Sequence, residues 1–412
     1  MPTADALFDP LAEGFATSPY EQYERLRDVD PVHRSDLLCG WVVTRFDDVG
    51  ALLRDPTISS SIHNATPTPL TVHEIERLSE QPRASRTIVM TDDPDHARIR
   101  RLMADPFRPR QIEALRHRVT ERVAAALDHL RATRGDGTVE LDLVEDFAYP
   151  FPVGVFSEML GLPEEDHPRF RHWTRCVART MDPIMSARER EASFAGLDEM
   201  YAYLEGQAAE KEARPADDLL SHLVHAEVDG ERLSQEDLVA QLVTLYMAGH
   251  EPTAALVGAG TLALLRAPDQ LARLRAEPGL RRGAVSELLR YDGPNQFVRR
   301  ITTRPTRIGE VELPAGAVVY ASPASANRDP RRWGADADRV VVDRPDAGSH
   351  LQFGAGAHAC LGSHLARLQA EIAFDAVFDR LDDLELAGEP EWITRMFIRG
   401  LSSLPVRCTI RP

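Results

Sequence analysis

The stretch from Ser234 to Leu265 constrains the fold more than any other, because apolar residues fall on nearly every face of the helix it predicts. A helix apolar all round belongs inside a large protein, with other elements on every side. Ser234 and Asp237 form a Ser-x-x-Asp capping box at its start, and Pro268 marks its end. Two further helices are predicted around it. Arg110 to Leu130 has apolar residues at Ile112, Leu115, Val119, Val123 and Leu127, and Ser363 to Leu381 places Leu365, Leu368, Ile372 and Phe378 on one side. Strands are few: Trp41 to Thr44, and Ile308 to Val319, which reads strand, Pro-Ala-Gly turn, strand. The segment from Ala326 to Arg344 has little regular pattern. The prediction is a mainly α protein with a minor β-sheet region. With no Gly/Ser or Pro-rich linker and no internal repeat, residues 1–412 are expected to form one domain.

Charge and cysteine usage exclude several function classes. Forty-eight basic against 65 acidic residues give a net charge of −17, which disfavours nucleic acid while leaving room for a local basic patch that receives an acidic protein. Cys39, Cys176, Cys360 and Cys408 lie far apart with no CxxC pair, so neither a structural zinc site nor a disulfide framework is expected. Met1 to Pro10 shows no basic-then-apolar leader, and no run of about 18 apolar residues occurs, so a cytoplasmic protein with no membrane association is expected.

The most informative segment is Phe353-Gly354-Ala355-Gly356-Ala357-His358-Ala359-Cys360-Leu361-Gly362. Two glycines two apart permit a tight turn with positive φ. Cys360 then falls at the first turn of the following helix, where the dipole and free N–H groups favour a thiolate. Gly362 lets a flat ligand lie close to the backbone, and Phe353 can shield the sulfur from water. The other three cysteines read as inert buried thiols.

Two weaker signals lie elsewhere. Glu287 and Arg290 are spaced as an i, i+3 pair, of little energetic worth if exposed. His96 and Arg100, four apart, share one helix face and suit a dianionic ligand edge, although a solvated basic helix has the same spacing.

The cysteine segment matches every fixed position of Phe-Gly-x-Gly-x-His-x-Cys-x-Gly, and the chain here resembles the cytochrome P-450 superfamily, in particular its bacterial, soluble, class I monooxygenases. The resemblance extends through Arg399-Gly400-Leu401 near the end of the chain. It implies a triangular-prism fold with haem b (iron protoporphyrin IX) between the long central helix and the cysteine-loop helix. Cys360 would be the axial ligand to iron, in a loop formed by Phe353, Gly354 and Gly362. His358, His96 and Arg100 would hold the haem propionates together with Arg300, or with Arg299 if the register differs by one. Glu287 and Arg290 would form a buried network with a third arginine, for which Arg339 fits. Electrons would come from NAD(P)H through a ferredoxin reductase and a ferredoxin docking behind Cys360, with Arg110, Arg116 and Arg367 as basic contacts. By the same resemblance, a small-molecule substrate would meet segments Ser59–Met90, Val177–Leu204, Val243–Met247 and Asn295–Val298, with Met396 and Phe397 from the C-terminal end. Asn295 and Gln296 would read an amide or hydroxyl, or stand as solvated loop residues.

One departure changes the chemistry. The long helix reads Ala248-Gly249-His250-Glu251-Pro252-Thr253 where most bacterial relatives have Ala-Gly-x-Glu/Asp-Thr-Thr. The acid is kept as Glu251, but the proton-relay alcohol is Pro252. Pro lacks an N–H, so it is expected to kink the helix and leave the Ala248 carbonyl without its usual partner. Protons then reach the site through ordered water, through a substrate hydroxyl or amide, or by a route using Glu251 or Thr253. The expected reaction is hydroxylation or epoxidation in secondary-metabolite biosynthesis. The alternatives are oxidative coupling or dehydrogenation without oxygen insertion, and a non-catalytic haem-binding protein.

Overall fold

The computed structural model describes residues 7–80, 82–135, 137–180 and 185–412. The long helix runs Gln235–Leu265, with the Ser234 hydroxyl accepting from the Asp237 N–H at 3.1 Å as the capping box predicts. From Asp237 to Leu264 its residues are buried except at four places, Met247, Ala248, Gly249 and Pro252. Close packing explains the small residues: a Cβ on Gly260 would lie 2.6 Å from the Phe374 ring of the helix Ser363–Arg380. The largest apolar cluster joins these two helices to Arg116–Arg134, Pro150–Leu160 and Ala187–Ala213. Among the described residues no helix is long and apolar enough to cross a membrane.

The predicted helix over Arg110 to Leu130 is two helices, Pro109–Ala114 and Arg116–Arg134. They part at Leu115, whose N–H turns tightly onto the Ile112 carbonyl (3.0 Å). Pro268 does not stop the long helix, which ends by itself at Leu265. It opens the next helix, Pro268–Ala276, where its missing N–H costs nothing.

A five-stranded sheet has the order Val32–Ser35, Gly40–Val43, Val318–Ala321, Val298–Thr302, Ile58–Ser59. The strands flanking the Pro314-Ala315-Gly316 turn both form, but they do not pair with each other. Val311–Leu313 pairs with Thr306–Ile308, and Val318–Ala321 enters the large sheet.

The irregular stretch after Ala326 is organised by one buried guanidinium. Arg290 donates twice to Glu287 (2.6 and 2.8 Å) and once each to the carbonyls of Asn327 (2.7 Å), Ala337 (2.7 Å) and Arg339 (2.8 Å). All its donors are therefore used. Glu287 also accepts from the Val341 N–H (2.9 Å) and from Arg344 Nε (3.2 Å). Arg344, not Arg339, is the third arginine of the network. The side chain of Arg339 is exposed, and only its carbonyl takes part. Both members of the Glu287–Arg290 pair are 0% exposed, and buried charges of this kind persist only when every polar group is satisfied.

Candidate cofactor and substrate site

The cysteine loop turns on its glycines. Gly354 has φ 68° and Gly356 φ 72°, values L side chains adopt at a cost. At Gly356 a Cβ would in addition lie 2.6 Å from the Leu53 carbonyl. The turn brings the Cys360 N–H onto the Phe353 carbonyl at 2.8 Å. The helix that follows starts at Ser363, capped by Gly362, so Cys360 precedes the cap instead of lying in the first turn. The anion-favouring donor is accordingly a loop group, the Gly362 N–H, which bonds the sulfur.

Cys360 is exposed, yet burial raises its thiol above the usual range, with the Gly362 N–H and Arg100 opposing. A sulfur that is exposed and yet partly desolvated by the protein around it lies in an opening of the surface. A Cβ on Gly362 would meet nothing within 4 Å, so the opening continues over the loop. Behind the loop, the Arg367 guanidinium stacks 5.0 Å from the Phe353 ring, held by Ser286 (2.6 Å) and His350 (3.1 Å).

Four cationic or donor groups converge at one edge of this opening. The rings of His96 and His358 are 4.0 Å apart. His96 is 3% exposed, and its Nε2 is buried with no hydrogen-bond partner. Arg100 donates to the Ala359 carbonyl at 2.9 Å, and His358 Nε2 meets Ser60 Oγ at 3.1 Å. Burial, with Arg300 and His96 nearby, lowers the pKa of His358 to about 4. Arg300 is 7% exposed, and burial lowers its pKa to about 10. Among the described residues no ion pair joins Arg300 to a carboxylate, whereas Arg299 bonds Glu74 at 2.5 and 2.7 Å. Strand alternation puts the two arginines on opposite faces, with Arg300 opposite Val319 and Arg299 opposite Tyr320 in the neighbouring strand. Of the two, Arg300 is the one left to bind an anion. So many desolvated donors with so little counter-charge suit a flat ligand carrying carboxylates.

Among the described residues no group of three or more His, Cys, Asp or Glu could hold a metal ion. A lone thiolate at the floor of an opening fits a metal that arrives with its other ligands. The residues present therefore fit a porphyrin dicarboxylate.

On the long helix, the break in burial falls at Met247, Ala248, Gly249 and Pro252; Ala248 and Pro252, four apart, share a face. The helix remains continuous through Pro252, which removes the single bond its N–H would have given to the Ala248 carbonyl. Thr253 is 3% exposed and does not reach this window. His250 bonds the Tyr246 carbonyl through Nδ1 (2.6 Å), and burial lowers its pKa to about 4.

Sequence reasoning missed the partner of Glu251. Its carboxylate is ion-paired with Arg395, both side chains being about a tenth exposed (11% and 10%). No spacing rule links positions so distant; an arginine beside the apolar pair Met396-Phe397 was the only sign. Also missed was a bracket near the helix start. Asp237 accepts from Arg86 (2.7 Å) and Arg98 (3.3 Å), and Gln241 exchanges two bonds of 2.8 Å with the backbone of Arg86 and Ile88.

Asn295 and Gln296 are engaged within the protein instead of standing as solvated loop residues. Asn295 is bonded to Gln352 through its own N–H (2.9 Å) and side-chain amide (2.8 Å), and Gln296 is 2% exposed and accepts from Tyr23 (3.0 Å). Met396 is buried in the core cluster that Phe397 packs against. Within the expected segment Val177–Leu204, residues 181–184 lie outside the described residues. Of the three arginines expected on the partner face, Arg110 is exposed. Arg116 is engaged by Glu113 (2.5 Å) and Glu371 (3.3 Å), and Arg367 is turned inward under the loop.

The family model described as Cytochrome P450 matches residues 53–279 and 280–395. Cytochrome P450 monooxygenase PikC of Streptomyces venezuelae is 40% identical over 96% of this chain and 92% of its own. The 6-deoxyerythronolide B hydroxylase of Saccharopolyspora erythraea is 34% identical over 97% and 98%. The solved structure of cytochrome P450 PksS, from the bacillaene polyketide synthase of Bacillus subtilis, superposes with a TM-score of 0.87 at 33% identity, covering 98% of this chain and 100% of the other.

Proposed function

This chain belongs to the cytochrome P450 family, and from that premise we propose that it is a haem-thiolate monooxygenase that hydroxylates or epoxidises a polyketide-type secondary metabolite. The observation that carries the reading is the exposed Cys360 beside the cluster of His96, Arg100, Arg300 and His358. The substrate class rests on the relative PksS of Bacillus subtilis, whose name points to polyketide biosynthesis, and the reaction on the 6-deoxyerythronolide B hydroxylase.

When bound, haem with a thiolate ligand supplies reductive cleavage of dioxygen. The protein's part is to bind, orient and deliver protons. Cys360 is the proposed ligand, its sulfur anchored by the Gly362 N–H and its backbone by Phe353. His96, Arg100, Arg300 and His358 would hold the two carboxylates. On the long helix Pro252 has no hydroxyl to donate, and the Ala248 carbonyl, relieved of its helical partner, would accept from a water or a substrate hydroxyl. A substrate carrying its own hydroxyl thereby completes the proton path. Electrons come from a ferredoxin fed by NAD(P)H, with exposed Arg110 among its contacts.

The test is spectroscopic first. Reduced protein under carbon monoxide should give the band of sulfur-ligated haem; a histidine-type band would end the proposal. Turnover under labelled dioxygen then decides between insertion, with the label in the product, and coupling without it. Coupling is favoured over a bystander haem protein because Pro252 alters proton supply without disturbing the cysteine loop.

A further inference from the structure

Two residues turn an α-helix by about 200°, so Tyr246 lies on the face of the long helix opposite Ala248 and Pro252. On that face the Tyr246 ring stacks on Phe170, with centroids 4.1 Å apart and planes at 17°. Phe170 in turn meets Trp173 (5.2 Å) and Tyr203 (5.3 Å), which lie 5.2 Å from each other. Packing alone accounts for rings in contact. It does not require the partners that the two polar rings carry. Trp173 Nε1–H donates to the Glu199 carboxylate at 3.0 Å, and the Tyr203 hydroxyl donates to the Asp166 carboxylate at 2.7 Å. Any carbonyl satisfies a buried N–H, whereas a carboxylate is also a base. Trp173 is 1% exposed and Glu199 is exposed, so the ring is sealed while its proton acceptor stands in water. The Tyr246 hydroxyl meets Ser157 (2.9 Å), which is no base.

Resting on the monooxygenase reading, we propose that this cluster is an electron-donating relay that protects the enzyme when oxygen is activated with no oxidisable substrate in place. Indole and phenol are readily oxidised by one electron, and the loss makes their N–H or O–H strongly acidic. Trp173 gives one electron through Phe170 and Tyr246, and its Nε1 proton passes to Glu199, leaving a neutral indolyl radical. The oxidant is the activated oxygen of the enzyme's own cycle, which that electron reduces. A soluble one-electron reductant of the ascorbate or thiol class then restores the ring, and the proton returns from Glu199. Tyr203 with Asp166 is a second terminus beside the first. The Arg169 guanidinium, 4.7 Å from the Trp173 ring and 5.0 Å from the Tyr203 ring, opposes positive charge on either. Loss of the proton is therefore part of the device. A helix with its side chains is about 10 Å across, which sets the reach from the cluster to the Ala248 face. Pro252 leaves that face without a proton-donating hydroxyl, so unproductive cycles are the ones this chain has most need to discharge.

The test mixes substrate-free holoenzyme with m-chloroperoxybenzoic acid, a two-electron oxidant, and follows freeze-quenched samples by electron paramagnetic resonance. The wild type should show a neutral tryptophan radical, and Tyr203→Phe should keep it. Trp173→Phe should move the radical to tyrosine, and Trp173→Phe/Tyr203→Phe should lose it. Glu199→Gln should lower the tryptophan signal although the ring is still present. Haem in the double variant should also bleach faster than in the wild type during substrate-free NADH oxidation through a ferredoxin. Product formed from saturating substrate should stay at the wild-type level, which a damaged fold would not allow. The proposal is overturned if a wild type with the sulfur-ligated carbon monoxide band forms no aromatic radical, if the tryptophan signal persists in Trp173→Phe, or if the double variant bleaches no faster. Absence of that band in the wild type strikes the family-based reading instead, so the two failures are distinguishable.

Discussion

The cysteine loop and the long helix are built by different means. On the cysteine side the backbone does the positioning: two left-handed glycines, a Cys360 N–H on the Phe353 carbonyl, and a Gly362 N–H on the sulfur, all within ten consecutive residues. On the long-helix side, side chains position one another across the chain: Glu251 with Arg395, Gln241 with residues 86 and 88, Asp237 with Arg86 and Arg98. A contiguous backbone device tolerates little change without ceasing to be that device. A set of distant side-chain pairs can be re-dealt while the helix stays whole, and Pro252 shows how far this has gone here.

The sharpest way to break the comparison is Cys360→Ser. It should abolish the sulfur-ligated spectrum and lower oxygenation by orders of magnitude, since serine supplies no thiolate. A variant that keeps the band would refute the assignment of the proximal face. Next in size is Arg290→Met, which leaves Glu287 buried without its bidentate partner. A loss of about 3–5 kcal/mol in unfolding free energy is expected, read as a fall in denaturation midpoint with denaturant or heat. Smaller is Arg300→Leu, which should weaken haem binding by about 1.5–3 kcal/mol, the worth of a charge-assisted hydrogen bond, in a haem-transfer assay. Arg299→Leu should leave haem affinity near wild type and loosen helix Pro69–Glu80 through Glu74. Equal effects would mean the strand register has been misjudged. The smallest effect is expected from Pro252→Thr with the true substrate. With analogues lacking the substrate's hydroxyl, the wild type should waste electrons, and the new threonine should restore the fraction recovered as product. If the analogues are already fully coupled in the wild type, the substrate takes no part in proton supply.

This contrast also explains what could be read from the chain beforehand. The long helix, its cap at Ser234, the helix after the cysteine and the glycine turn all depend on neighbours within a few residues, and each was legible. The network arginine was assigned to Arg339 because a family position, not a contact, guided the choice. In the folded chain the carbonyl of Arg339 is used and the side chain of Arg344 turns in. Asn295 and Gln296 look available to a ligand because amides in loops usually are, but Gln352 and Tyr23 engage them in the folded chain. Arg395 is hidden for the same reason: nothing local distinguishes a solvated arginine from one that pairs with a buried acid.

Gly356 limits how far the ten-residue segment can be moved. Its missing side chain lets the loop tip rest against the carbonyl of Leu53 and the Cα of Arg54, at the end of helix Phe46–Arg54. A designer who transplanted residues 353–362 into another scaffold would carry over the ligand and the turn but not the ledge beneath them. Grafts should succeed only where the recipient presents a bare stretch of main chain at that spot, and chimaeras between relatives should exchange 46–54 and 353–362 together.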